Sequence, residues 1–256
     1  MHYIGIDIGS TSAKVAVMDV SENILASFIM PTGWSSVETA ETIKTRLSEM
    51  GYAPQEGRVV ATGYGRVSVP YADKAVTEIT CHGIGAAHIF NMSDMAVIDI
   101  GGQDTKVILL SGGSVNDFVM NDKCSAGTGR FLEIMSNALA LTPASLCELA
   151  RGGSGVKISS MCTVFAESEV ISQLANGVKR EDLIAGICAS VASRVSALAR
   201  RAGVMPRLCM SGGVARNGAV RRALEESLEM EIEVDPLAQY FGAIGAAIYA
   251  YRKATK

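Results

Sequence analysis

The spacing of apolar residues predicts a chain that alternates between β-strands and α-helices. Short apolar runs bounded by Gly, Ser or Asp indicate strands, and apolar residues recurring every three or four positions indicate helices. In the first half, strands are expected over 3–8, 14–20, 24–30 and 59–62. Helices are expected over 37–50, where Ala40, Ile43 and Leu47 share one face, and over 79–90.

The second half shows the same mixture with more helix. Strands are expected over 95–98, 106–110, 115–120 and 208–210. Helices are expected over 126–139, 164–174, 180–202, 216–228 and 239–251, the last rich in small residues that suit close packing. The pattern therefore predicts an α/β protein.

Two segments of the chain repeat each other. Residues 7–14 read DIGSTSAK and residues 99–106 read DIGGQDTK, each after an apolar strand. The offset of 92 residues (99 − 7) indicates a duplicated domain, not a solenoid. No Pro/Ser-rich linker separates the two halves. We therefore expect two lobes that share an interface, with a cleft between them. The first spans 1–120, with the C-terminal helix 239–256 packing back on it, and the second spans 121–238.

Each repeat carries the chemistry of a phosphate-binding turn. Asp7 and Asp99 end apolar strands and can hold Mg²⁺ through water, while glycines let backbone N–H groups approach phosphate oxygens. A single copy fits a plain β-turn equally well, but two copies facing each other form a clamp. A third cluster, SGGVARN at 211–217, follows a predicted strand. It fits either a turn against which a flat nucleotide base packs or a tight strand-to-helix connection.

Composition narrows the class of protein. The 256 residues include 48% hydrophobic and 19% charged residues and carry a net charge of −3. These values exclude a disordered, collagen-like or coiled-coil chain and argue against an electrostatic nucleic-acid binder. The N-terminus lacks the basic region of a signal peptide, and no apolar run approaches the ~18 residues of a membrane span. We therefore expect a cytoplasmic protein with reduced thiols, no nucleic-acid partner and no membrane partner.

Two of the six cysteines stand apart from the rest. Cys124 and Cys162 each immediately precede a predicted helix, whose exposed N–H groups stabilise a thiolate or an anionic metal cluster. An iron–sulfur cubane needs four thiolates, which a two-fold dimer would supply as two pairs. Spacing alone favours a surface thiol pair without metal. Three other cysteines are expected in the core: Cys147, Cys188 and Cys209. Cys81 starts a predicted helix, and its role is left open.

The order of the three Gly motifs resembles the actin/Hsp70/sugar-kinase ATPase superfamily from Gly5 to about Ala247. The resemblance implies duplicated ribonuclease-H-like lobes, the actin-like ATPase fold, with ATP in the cleft. It implies that Asp7 and Asp99 position Mg²⁺ and that Gln103 orients the attacking water. The candidate nucleotide-binding residues are Gly9, Ser10, Thr11, Ser12, Lys14, Gly101, Gly102, Asp104, Gly127, Thr128, Gly129, Gly212, Gly213 and Asn217.

The wider motifs narrow the resemblance to one family. KCSAGTGRFLE (123–133), SSMCTVFAESEVISQLANG (159–177), TGYGR (62–66) and DIGGQDTK together resemble the activators, or component A, of 2-hydroxyacyl-CoA dehydratases. The resemblance implies a homodimer with one shared [4Fe-4S] cluster, held by Cys124 and Cys162 of each chain. It implies an ATPase that passes one electron from a ferredoxin or flavodoxin to the dehydratase.

Three alternatives stay open at this point. A small-molecule kinase of the same superfamily, of the pantothenate or sugar type, would need a carboxylate base such as Asp104 or Asp122. It has no need for cysteines in Gly-rich loops. A nucleotide-sensing scaffold would hold no iron and show no turnover, and an activator could serve another reductase, such as benzoyl-CoA reductase.

Overall fold

The computed structural model describes residues 1–121, 124–160, 162–203 and 205–254, so Asp122 lies outside the described residues. Within these ranges the chain forms ten β-strands and eight α-helices. The strands are β1 (His2–Ile8), β2 (Ser12–Met18), β3 (Ile24–Pro31), β4 (Gly57–Thr62), β5 (Lys74–Ala75), β6 (Met95–Ile100), β7 (Thr105–Ser111), β8 (Ser114–Asn121), β9 (Leu208–Ser211) and β10 (Ile232–Glu233). The helices are α1 (Ser36–Glu49), α2 (Glu78–Phe90), α3 (Gly129–Ala138), α4 (Pro143–Leu149), α5 (Thr163–Ala175), α6 (Arg180–Ala202), α7 (Gly218–Leu228) and α8 (Phe241–Ala254).

The first sheet has the strand order β3-β2-β1-β4-β5. β2 runs antiparallel to β1 and β3, whereas β4 runs parallel to β1. One face of β1 is buried against α1, with Ile4 and Ile6 packed among Ile43 and Leu47. On the other face a Cβ added to Gly5 would lie 1.8 Å from Ala243 O, so glycine lets α8 rest directly on the strand.

The second sheet has the order β10-β9-β6-β7-β8. This is the order of the first sheet with β6 to β10 in place of β1 to β5, which confirms the predicted duplication. The predicted lobe boundary at residue 120 falls after β6, β7 and β8, although these strands pair in the second sheet. The lobe bounds stay a prediction, and the pairing favours a boundary ahead of β6.

Residue contacts divide the chain into two compact units. The first consists of residues 1–97, 108–118 and 235–256, and the second of 98–107 and 119–234. In the first unit α8 packs against α2, β1, β2 and β4. In the second unit α6 packs against α7.

Several element boundaries differ from the sequence expectation. The helix expected from residue 126 begins at Gly129, because Gly127 adopts φ +92° and Thr128 has extended backbone. The helix expected from residue 216 begins at Gly218, where the Asn217 side chain caps it by accepting from the N–H groups of Ala219 and Val220. The short elements α4, β5 and β10 were not predicted.

Among the described helices, α6 is long and apolar enough to cross a membrane, which corrects the expectation that no apolar run approaches that length. Its most apolar 18-residue stretch is 61% buried within the protein, with a mean hydropathy of 1.4. The buried side chains include Leu183, Ile187, Val191 and Val195, which recur at helical spacing. The apolarity of α6 is thus accounted for by packing inside the second unit.

Candidate nucleotide turns and thiol loops

The first Asp-Ile-Gly turn lies in the β1–β2 hairpin. Asp7 is 3% exposed and pairs in register with Lys14, whose Nζ lies 3.5 Å from Asp7 Oδ2. Gly9 N donates to Ser12 O at 3.1 Å and closes the turn. A Cβ on Gly9 would lie 3.2 Å from Lys14 Nζ. The turn therefore brings a buried carboxylate and an ammonium group together next to the Gly9 backbone.

The second turn reproduces this geometry in the β6–β7 connection. Asp99 is 3% exposed, and Lys106 Nζ lies 3.6 Å from Asp99 Oδ2. Gly101 N donates to Asp104 O at 2.9 Å. Asp104 Oδ1 also accepts from Lys106 Nζ at 2.6 Å, an ion pair that the first turn lacks because Ser12 stands in that position. The sequence repeat is thus a repeat of local structure.

A second pair of matching positions was missed in the sequence. Gly63, after β4, has φ +85°, and Gly212, after β9, has φ +84°. A Cβ on Gly63 would lie 2.4 Å from Asp7 Oδ1, and a Cβ on Gly212 would lie 2.7 Å from Asp99 Oδ1. Each glycine therefore lets a neighbouring strand end press against the carboxylate of its own unit. The sequence signal that could have revealed the match is a hydroxyl residue followed by Gly, as in Thr62-Gly63 and Ser211-Gly212.

His82 is another neighbour of Asp7, and the sequence analysis did not single it out. It is 6% exposed, and its Nε2 lies 4.0 Å from Asp7 Oδ2. A Cβ on Gly242, in α8, would lie 2.9 Å from the same oxygen and 2.7 Å from His82 Nε2. The Asp7 carboxylate is thus enclosed by Lys14, His82 and the backbone of two glycines.

The start of α3 is hydrogen-bonded to the second turn. Gly129 N and Arg130 N donate to the carbonyl oxygens of Gly101 and Gly102, both at 2.8 Å. Thr105 Oγ1 donates to Gly127 O at 2.7 Å. These bonds fix the helix start on the candidate phosphate turn, and they occupy the N–H group of Gly129, one of the candidate nucleotide donors.

The remaining candidate residues lie in the turns and at helix starts, and their roles toward a nucleotide stay a prediction. Thr11 O accepts from Thr32 N at 3.1 Å, so the first turn is tied to the end of β3. Gln103 is exposed on the second turn, where its amide is accessible to a ligand. Asn217 uses its side-chain oxygen to cap α7 and leaves its amide nitrogen for other contacts. The set of candidate nucleotide-binding residues is completed by Ser10, Ser12, Thr128 and Gly213. Thr128 Oγ1 donates to Ser125 O at 2.6 Å.

The two singled-out cysteines are both exposed free thiols. Cys162 is the N-cap residue of α5, as predicted. The expectation that Cys124 immediately precedes a helix was wrong, because the turn 125–128 stands between it and α3. The residues that follow them meet: Ser125 Oγ lies 2.9 Å from Thr163 Oγ1. The fold therefore brings the two thiol-bearing loops side by side in one chain.

The other cysteines differ in chemistry from this pair. Burial raises the pKa of the Cys81 and Cys188 thiols to about 12 and raises the pKa of Cys209 further. These groups stay protonated at neutral pH. Cys147 is half-buried, which corrects its expected place in the core.

One chain alone does not complete a metal site in the part that the structure describes. No group of three or more His, Cys, Asp or Glu side chains with metal-binding geometry occurs among the described residues. Two exposed thiols on joined loops fit half of the four-thiolate set of an iron–sulfur cubane. The donor set therefore fits such a cluster only if a second chain supplies the other two.

Comparison with known proteins extends over the whole chain. The profile of the BadF/BadG/BcrA/BcrD ATPase family matches residues 4–250. The (R)-2-hydroxyglutaryl-CoA dehydratase activating ATPase of Acidaminococcus fermentans is 48% identical, with 100% of this chain and 99% of that protein covered. The crystal structure of component A of that dehydratase superposes with a TM-score of 0.95, with both chains fully covered.

A second relative was solved with a nucleotide analogue. The activator of 2-hydroxyisocaproyl-CoA dehydratase from Clostridium difficile, with bound ADPNP, is 42% identical and has a TM-score of 0.93, covering 100% of this chain and 96% of that one. A ROK family glucokinase from Streptomyces griseus, only 16% identical, has a TM-score of 0.62 over 98% of this chain and 100% of its own, which shows the fold alone. The fold is the actin-like ATPase fold, as predicted.

Proposed function

We propose a function for this chain from the premise that it belongs to the BadF/BadG/BcrA/BcrD ATPase family. The chain is an ATP-dependent activator of a 2-hydroxyacyl-CoA dehydratase. The observation that carries the proposal is the continuous set of hydrogen bonds from the second Asp-Ile-Gly turn to both thiol loops, within a chain 42–48% identical to such activators.

The two turns bind the nucleotide in this proposal. Asp7 and Asp99 hold Mg²⁺ through water, and Lys14 and Lys106 add positive charge near the phosphates. The N–H groups of Gly9 and Gly101 close the turns, and the other backbone N–H groups of the two turns donate to phosphate oxygens. Gln103 orients the attacking water, as an exposed amide next to the turn allows. Gly212, Gly213 and Asn217 lie against the adenosine.

Cys124 and Cys162 hold one [4Fe-4S] cluster together with the same two residues of a second chain. When bound, the cluster supplies low-potential one-electron transfer. The first turn of α5 presents its N–H groups at Cys162, which favours an anionic group there. The two thiols per chain then require a homodimer.

The surface next to Cys162 supports the homodimer. Val164 and Phe165, the second and third residues of α5, are 66% and 67% exposed, and Ile171 on the same helix is 49% exposed. Large apolar side chains exposed together mark interaction surfaces. Their position beside a half-complete thiolate site points to a second copy of the chain as the covering partner.

The hydrogen bonds give nucleotide binding a route to the thiols. A ligand that moves Gly101 and Gly102 would also move the start of α3, because the two are hydrogen-bonded. Thr105 is likewise hydrogen-bonded to Gly127, in the loop that follows Cys124. The bond between Ser125 and Thr163 carries any shift to α5. ATP moves this equilibrium only if it binds one arrangement better than the other.

The partner is the dehydratase component, and a cytoplasmic ferredoxin or flavodoxin is the electron donor. A benzoyl-CoA reductase chain of Thauera aromatica is 27% identical over 96% of this chain, against 48% for the dehydratase activator. This difference favours a dehydratase. A kinase function gives no role to the two hydrogen-bonded loops that carry Cys124 and Cys162.

The test is activation of a 2-hydroxyacyl-CoA dehydratase under anaerobic conditions with ATP and a reduced donor. We expect turnover that requires this chain and ATP, and loss of turnover with Cys162→Ser. The half-buried Cys147→Ser serves as the matched control and should activate normally. ATP-dependent phosphorylation of a sugar or of pantothenate, without any activation of a dehydratase, would contradict the proposal.

A further inference from the structure

Arg194, in the middle of α6, lies against both thiol loops. Its Nη2 donates to Ser160 O at 2.9 Å, two residues before Cys162. A Cβ added to Gly127 would lie 3.4 Å from Arg194 Cβ and 3.7 Å from its Cδ, so the stem of the side chain packs on the loop after Cys124. One side chain thus contacts the two loops that the proposed cluster joins.

The rest of the side chain is held in one orientation. Arg194 Nη1 donates to Ser190 O at 3.0 Å and also contacts Ser190 Oγ. The guanidinium carbon lies 5.7 Å from the ring centroid of Phe131, a fully buried residue of α3. Arg194 therefore links α6 to α3 and to the loop before α5.

Ser160 is held from both sides of its backbone. While Arg194 donates to its carbonyl, Glu169 Oε2 accepts from its N–H at 2.9 Å, and Glu169 Oε1 accepts from Ser159 N at 2.9 Å. Partial burial raises the pKa of Glu169, but the hydrogen bonds from Ser159 and Ser160 outweigh it and lower this pKa to about 2. The carboxylate is ionised at neutral pH, so a cation and an anion together fix the approach to Cys162.

Arg194 also shares a surface cavity with Cys124. Both residues line one surface cavity of about 680 Å³, together with Asn121, Gly127 and Arg201. A guanidinium keeps its charge at every pH at which proteins fold. Positive charge near a group that becomes more negative on reduction favours the reduced form.

We propose that Arg194 is a positioning residue for both thiol loops and the charge partner of the anionic group that Cys124 and Cys162 hold. This inference rests on the proposed function. The Arg194 side chain makes two separate contributions. The fork geometry fixes the loops, and the positive charge favours reduction.

The test compares two variants, Arg194→Gln and Arg194→Lys, with the control Arg201→Gln. Arg201 is an exposed arginine seven residues after Arg194 on the same helix, and it lines the same cavity. In metal-free protein, hydrogen exchange of a peptide spanning residues 156–165 is measured. After anaerobic reconstitution, the rate of iron loss to a chelator and the midpoint potential are measured, with ATP hydrolysis and circular dichroism reporting the fold.

We expect Arg194→Gln to speed exchange of the peptide, to speed iron loss on the order of 10-fold, and to lower the midpoint potential. Arg194→Lys keeps the charge without the fork, so its potential should stay near that of the unmodified protein while its iron loss is still faster. Arg201→Gln should leave iron loss and exchange unchanged.

The outcomes distinguish the proposed function from the proposed role of Arg194. If the unmodified protein holds no iron, the proposed function fails and this inference fails with it. If the unmodified protein holds iron but both Arg194 variants match it in exchange, iron loss and potential, only the inference fails. Equal effects of Arg201→Gln on all three measurements also overturn it.

Discussion

Gly212→Ala tests the close packing of the third Gly cluster on the second Asp-Ile-Gly turn. Gly212 has φ +84° and ψ 179°, a region that side chains avoid at a cost of about 1–3 kcal/mol. The added Cβ would lie 2.4 Å from Ile100 O and 2.7 Å from Asp99 Oδ1. Relieving such overlap with fixed backbone costs about 1–3 kcal/mol more. The sum of about 2–6 kcal/mol is a large part of the 5–15 kcal/mol that stabilises a typical domain.

Gly177→Ala is the matched control. Gly177 has the same φ of +84°, and an added Cβ there would meet nothing within 4 Å. It should cost only the left-handed backbone penalty of about 1–2 kcal/mol. Urea unfolding followed by circular dichroism measures both losses, and calorimetric titration with ADPNP and Mg²⁺ measures nucleotide affinity.

We expect Gly212→Ala to lose more stability than Gly177→Ala and to bind ADPNP at least about 10-fold more weakly, since Asp99 must move. Gly177→Ala should bind ADPNP normally. If the two variants unfold alike and bind the nucleotide alike, the strand end does not press on Asp99 and the adenosine assignment loses its structural basis.

Three further predictions concern the water-orienting amide, the dimer and the thiols. Gln103→Ala should slow ATP hydrolysis on the order of 10²-fold while changing ADPNP affinity little; equal losses in both would refute the role. Phe165→Asp should convert the proposed dimer to monomer in sedimentation, whereas Val67→Asp, at an 82% exposed site in the first unit, should not; a dimeric Phe165→Asp protein would contradict the proposed interface. In metal-free reduced protein at pH 8, below the pKa of about 12 of the buried thiols, iodoacetamide should label Cys124 and Cys162 well before Cys81 or Cys188. Peptide mass spectrometry reads this order, and early labelling of Cys81 would show the core to be open.

The features that sequence could predict are those carried by local pattern. The repeated Asp-Ile-Gly segments gave two turns whose Asp–Lys distances, 3.5 and 3.6 Å, agree closely. Helix α6 runs over the predicted residues because its apolar spacing and its C-terminal Gly203 are both local signals. Cys162 at the start of α5 followed from the same kind of reasoning.

The features that sequence missed depend on contacts between distant segments. His82 comes beside Asp7 through the packing of α2 and α8, which no spacing rule shows. The match of Gly63 to Gly212 rests on two-residue signals too short to stand out before the strand order is known. Strands β5 and β10 have two residues each and are defined by their partners, not by their own pattern.

The proposed function requires that one chain carry an ATP site and half of a four-thiolate cluster site. Its most direct test is the iron content and absorption spectrum of anaerobically reconstituted protein, compared with Cys124→Ala and Cys162→Ala. We expect a brown dimer with about four irons, and loss of that iron in each single variant while ADPNP binding persists. A colourless, iron-free protein that still hydrolyses ATP would contradict it.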